Sequence, residues 1–157
     1  MPTVPPAAPS GLSTPAEIEA LGDQLTACAD ALHQRVIESI KQHKGAPISD
    51  ADQAVARGLI DDELLLRERA NALYADAATV VVKSLGQPQQ HVMALTVAAA
   101  EKIRNIGYLG QAVSLAASLL TLGAAAATGQ PVAIIGALDN VRRHVGWVEA
   151  FSPPAPA

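Results

Sequence analysis

Aromatic side chains are nearly missing from this sequence: one Phe, one Trp and two Tyr in 157 residues. Large rings anchor many cores and interfaces, so a core built without them must bring backbones together over small side chains. Cysteine occurs once, as Cys28. That excludes an intrachain disulfide and fits a reducing compartment. A basic block is also missing. Eleven Lys and Arg lie scattered among fifteen Asp and Glu, and the formal net charge is -4. Nucleic-acid binding needs clustered cations to neutralise phosphates, so that class is set aside. The N-terminus has no basic stretch followed by an apolar one, so no secretory signal is expected. The expected location is cytoplasmic, with export by a signal-independent route left open.

What the chain has instead is alanine, leucine and valine, which supply most of an apolar fraction of 50%. Alanine has the best helix propensity. Gly-x-Pro occurs three times, at Gly45-Ala46-Pro47, Gly86-Gln87-Pro88 and Gly129-Gln130-Pro131. Glycine suits the left-handed residue that ends a helix, and proline suits the first turn of the next. The expected fold is therefore all-α: an antiparallel bundle of four main helices joined by short Gly-x-Pro turns, with one or two helices interrupted or kinked. Residues 1–13 and 152–157 are rich in proline and small residues and are expected to be disordered tails around a single domain, 14–151.

Four segments follow from this punctuation. In the first, Thr14 and Glu17 form a capping box, and Ile18, Leu21, Leu25, Cys28, Leu32, Val36 and Ile40 make one apolar stripe. In the second, Ser49 caps a short helix, Gly58 interrupts it, and Asp61 caps a longer one with Leu66, Ala70, Leu73, Ala77, Val80 and Val81 inward. The third, 88–128, would span roughly 60 Å as one helix, so a break is expected at 105–110, where Gly107 and Gly110 weaken it. The fourth places Val132, Ile135, Leu138, Val141, Val145 and Val148 at helical spacing.

Residues 105–138 contain no charged side chain. Three readings compete for this run: a central helix buried on all sides, an oligomer interface built on small residues such as Ala112, Ala116, Ser114 and Ser118, and a hairpin that inserts into a membrane. Burial is favoured over the interface, and the interface over insertion, because alanine, glycine, serine and threonine dilute the leucines.

No residue set assembles into chemistry. His33, His43, His91 and His144 lack the spacing of a metal site. Cys28 falls on an apolar stripe with no basic neighbour before His33, so it reads as a buried structural thiol. Asp61, Asp62 and Glu63 complement a helix start, and Glu68 and Asp76 read as a solvated face. The one cluster suited to partner recognition is Arg142, Arg143 and Trp147, with His144 beside them, since Arg and Trp are enriched at interface hot spots; the favoured reading is that Trp147 closes the bottom of the core while the arginines are solvated. The expected function is a non-enzymatic helical binding or scaffolding module with a protein partner or a second copy of itself. The alternatives are a membrane-active protein and a small enzyme with a site in the bundle core. No cofactor, metal or small-molecule motif is present.

Overall fold

A computed structural model describes residues 12, 14–77, 88–106 and 109–151, with side chains described except at 88–91 and 147–151. All regular structure among the described residues is helical: α1 (Pro15–Gln42), α2 (Asp50–Asp76), α3 (Pro88–Asn105), a short 3-10 helix (Leu109–Gln111), α4 (Ala112–Thr128) and α5 (Pro131–Phe151). The helices pack in a closed ring. Helix α1 lies on α2 and α3, α2 on α4, α4 on α5, and α5 returns to α3. One apolar cluster with residues from all five helices fills the ring.

The helix ends are set by local chemistry. The Glu17 N–H donates to Thr14 Oγ1 at 3.2 Å, and the Thr14 hydroxyl donates to Glu17 Oε1 at 3.3 Å. Helix α1 ends as the backbone turns left-handed at Lys44 (φ 48°) and Gly45 (φ 81°). Ser49 caps α2 by accepting the Asp52 N–H at 3.2 Å. Gly129 (φ 66°) ends α4 and donates to the Ala126 carbonyl at 3.1 Å. Two residues then separate α4 from α5. Gly86 and Gln87, like Val80 and Val81, lie outside the described residues.

The stripe on α1 is buried from Ile18 to Val36, but Ile40 is 46% exposed. The break expected at 105–110 is present: α3 ends at Asn105 and a 3-10 turn precedes α4, so the four segments form five helices. Three further expectations need correction. Gly58 does not interrupt α2, which runs unbroken past it; burial of Leu59, Glu63 and Leu66 outweighs a glycine cost of about 1 kcal/mol. The inward stripe of α5 is Ile134, Ala137, Leu138, Val141 and Val145, while Val132 and Ile135 are exposed. Steps of three alone drift about 60° backwards each at 100° per residue, so a run of threes cannot stay on one face. Finally Leu12, assigned by composition to a tail, is fully buried in the core. The rest of the proposed tails lies outside the described residues.

Helix α4 carries the charge-free run. Its inward residues include Ala112, Leu115, Ala116, Ser118, Leu119, Leu122 and Gly123, while Val113, Ala117, Thr121, Ala127 and Thr128 face outward. Burial on all sides is therefore corrected to burial on the side facing α2 and α5. The buried Ser118 hydroxyl donates back to the Leu115 carbonyl at 2.8 Å, which removes the cost of an unpaired polar group.

Candidate functional site

The outward face of α5 places two of the three residues singled out for partner recognition, Arg142 and Arg143. At about 100° per residue, Val132, Ile135, Gly136, Asp139, Arg142, Arg143 and Gly146 share one stripe about 120° wide. All seven are exposed. Val132 is 85% and Ile135 41% exposed. Arg142 donates to Asp139 Oδ1 at 2.6 Å, and Arg143 lies 3.9 Å from Asp139 Oδ2. Both guanidinium groups remain largely in solvent, so these are weak surface pairs. The Trp147 side chain lies outside the described residues.

Sequence reasoning missed the two glycines on this stripe. A Cβ built on Gly136 or Gly146 meets nothing within 4 Å. Gly in a helix interior costs about 1 kcal/mol relative to Ala, and neither position needs the missing side chain for packing within the chain. The signal was available as glycines spaced on the polar side of the α5 pattern. It becomes informative only once the surrounding space is known.

Two of the clefts among the described residues lie elsewhere. One, of 340 Å³, is lined by Asp30, Ala31, Gln34, Arg35, Glu38 and Arg104, where α1 meets the end of α3. The other, of 220 Å³, lies between the end of α1 and the start of α2, with Ile40, Ile48 and Ile60 among its walls. The exposure of Ile40 follows from this second cleft.

Several of the remaining titratable groups are tied into structural roles. Glu63, 8% exposed, accepts from His33 at 2.7 Å and from Arg67 at 3.4 Å, and Arg67 also reaches Asp30 at 2.8 Å. This network joins α1 to α2. His43 and His144 engage the carbonyls of Ser39 and Asn140 through Nδ1, and the His91 side chain is outside the described residues. Cys28 is buried, its thiol directed at the Thr96 carbonyl at 3.6 Å. Burial pushes that thiol up to about 12, with the Arg104 charge pulling weakly the other way. Burial and the adjacent Asp61 both push the Asp62 carboxyl above the usual range. Among the described residues no three of His, Cys, Asp and Glu converge as metal ligands. Glu68 and Asp76 are both exposed on α2.

Compared with known protein families, curated proteins and solved structures, the chain matches none of them.

Proposed function

We propose that this chain is a non-enzymatic helical interaction module that works through protein–protein contacts on the outward face of α5. Its frame is an antiparallel bundle of the four Gly-x-Pro segments, the third divided into α3 and α4. The two-residue connection between α4 and α5 supports this, because so short a link favours antiparallel neighbours. The observation that carries the reading is the pair Gly136 and Gly146, helix-interior glycines with open space before them. An approaching helix backbone gives them a purpose that the chain alone does not. Val132 and Ile135 supply the apolar contact, and Arg142 and Arg143 form the charged end of the stripe.

The partner is a second copy of the chain. Two-fold pairing sets the same stripe against itself. Run antiparallel, it brings Asp139 of each copy towards Arg142 of the other. Light scattering across a concentration series tests this. The parent chain should form dimers that dissociate on dilution. Gly136→Leu should remain helical and be monomeric throughout. A parent that is monomeric at every concentration, or a Gly136→Leu variant that still dimerises, would sink the proposal.

A second reading has one observation in its favour. Leu109–Thr128 is a helical stretch of 20 residues with mean hydropathy 1.5, long and apolar enough to cross a membrane. Half of that window is buried inside the fold, as expected for a core helix. Its partner helix α5 meets Asp139 early, and a charge is costly in hydrocarbon. Anionic vesicles at neutral and acidic pH decide between the readings: dye release by the parent that is lost in Leu119→Asp favours insertion, and no release favours the interaction module.

A further inference from the structure

Read backwards, the α5 stripe complements itself in both size and charge. Ile135 and Gly146 lie about three helical turns apart, so they share one side of the helix. Asp139 follows Ile135 by four residues, and Arg142 precedes Gly146 by four. A two-fold axis passing between Asn140 and Val141 therefore exchanges Ile135 with Gly146 and Asp139 with Arg142. Ile135 is 41% exposed, and a Cβ built on Gly146 meets nothing within 4 Å. One is a projecting aliphatic side chain, the other a gap that such a side chain can fill. The side chains of Asp139 and Arg142 are 52% and 71% exposed. Their 2.6 Å pair within the helix is held in solvent, so a second partner can share it at little cost.

We infer, resting on the reading that α5 pairs with a second copy, that the copies recognise each other in this one register. Ile135 of each copy seats over Gly146 of the other, and Asp139 of each faces Arg142 of the other. Charge excludes the neighbouring registers. Sliding the helices until Ile135 faces Arg143 sets Asp139 against Asp139. Sliding them the other way, until Asp139 faces Gly146, sets Arg142 against Arg143. Parallel pairing opposes every charge to its own copy. Like charges brought together across an interface are costly and reject the wrong arrangement. The register between the two slides opposes unlike charges and fills the space before Gly146. The stripe thus selects a copy of itself over other apolar helices.

Analytical ultracentrifugation of charge-reversed full-length chains tests this. Asp139→Arg alone sets Arg against Arg142, and Arg142→Asp alone sets Asp against Asp139. Each variant alone should be monomeric at concentrations where the parent pairs. Mixed, they should form a heterodimer roughly tenfold tighter or more than either variant with itself, because both ion pairs return with their signs exchanged. Both changes are at exposed positions, and far-ultraviolet circular dichroism should match the parent. Gly146→Leu should abolish pairing, and adding Ile135→Ala to it should restore pairing as the new leucine takes the place of the isoleucine. A parent that dimerises and a monomeric Gly136→Leu, with no heterodimer in the mixture, would leave α5 pairing standing and overturn the register. So would a Gly146→Leu variant that pairs like the parent, or a double variant that stays monomeric. A parent that is monomeric at every concentration overturns the pairing and the register together.

Discussion

Replacing glycine by alanine at three helical positions should change stability in opposite directions. Taken alone, each replacement gains about 1 kcal/mol of helix propensity. At Gly58 nothing lies within 4 Å of the added methyl, so Gly58→Ala should be stabilised by about 0.5–1 kcal/mol. At Gly123 the new Cβ would lie 3.0 Å from Arg69 Cβ and 3.3 Å from Leu25 Cδ1. Arg69 Cβ is fixed to the backbone of α2, so the contact relaxes only if α2 and α4 move apart. Overpacking of this kind costs about 1–3 kcal/mol, which exceeds the propensity gain. At Gly22 the Cβ would meet the Tyr74 ring at 2.8 Å and the Ala70 carbonyl oxygen at 3.3 Å. That ring must shift, and with it goes the 2.6 Å bond that the Tyr74 hydroxyl donates to Asp23.

The expected order of stability is Gly58→Ala above the parent, then Gly123→Ala and Gly22→Ala below it. A span of about 2 kcal/mol corresponds to roughly 4–8 °C in Tm for a domain of this size. Thermal and urea unfolding followed by far-ultraviolet circular dichroism resolve such a span. A Gly123→Ala protein as stable as Gly58→Ala would show that α2 and α4 are not in close contact at Arg69, and the closed ring of helices would fail at that joint.

Further outcomes follow from the same contacts. Leu119, fully buried on α4, when changed to Asp should lose several kcal/mol in urea unfolding, the scale of an unpaired buried charge. The Cys28 thiol, pushed up to about 12 and buried, should stay protonated at neutral pH and resist a thiol reagent in the native chain, then label fully in denaturant; rapid native labelling would contradict its burial. Glu63→Met should stay within about 1 kcal/mol of the parent because it removes a desolvated charge whole, whereas Arg67→Met leaves Glu63 with His33 alone and should cost more; calorimetric unfolding of the two compares them directly.

Much of the fold was legible because its signals are local. The Thr14 cap and the Ile18 to Val36 stripe depend on neighbours three or four residues apart, and so does the Ser49 cap. The break near residue 105 could be inferred because one helix from 88 to 128 would outgrow the others. What failed depends on partners far along the chain. Gly58 reads as a breaker until Leu59, Glu63 and Leu66 are seen to be buried beyond it. Leu12 reads as tail until the core receives it. Arg35 donates to the carbonyl of Ile106, 71 residues away, and no periodicity announces such a bond.

The candidate sites were less legible than the fold, for a reason visible in α5. Arg142 and Arg143 stand out in the sequence because charge and hot-spot statistics mark them, but in the structure they lean on Asp139 and remain solvated. Gly136 and Gly146 carry no such mark. A glycine in sequence reports only that a side chain is missing, and in most helices the missing atom makes way for a neighbour in the same chain, as Gly123 does for Arg69. A missing neighbour alone does not imply a partner, since Gly58 has none within 4 Å either; on α5 two such glycines share one exposed stripe with Val132 and Ile135. The same holds for the charge-free run 105–138. Its lack of charge is compatible with a core, an interface and a membrane, because each environment disfavours unpaired charge. Position separates them: Leu115, Leu119 and Leu122 are buried and belong to the core, while Val132 and Ile135, a few residues later in the same run, are exposed among the described residues. Buried and outward residues alternate on both sides of the turn at Gly129: Ile134, Ala137 and Leu138 join the core from α5, as Leu115, Leu119 and Leu122 do from α4, while Val113, Ala117 and Thr121 face outward before it.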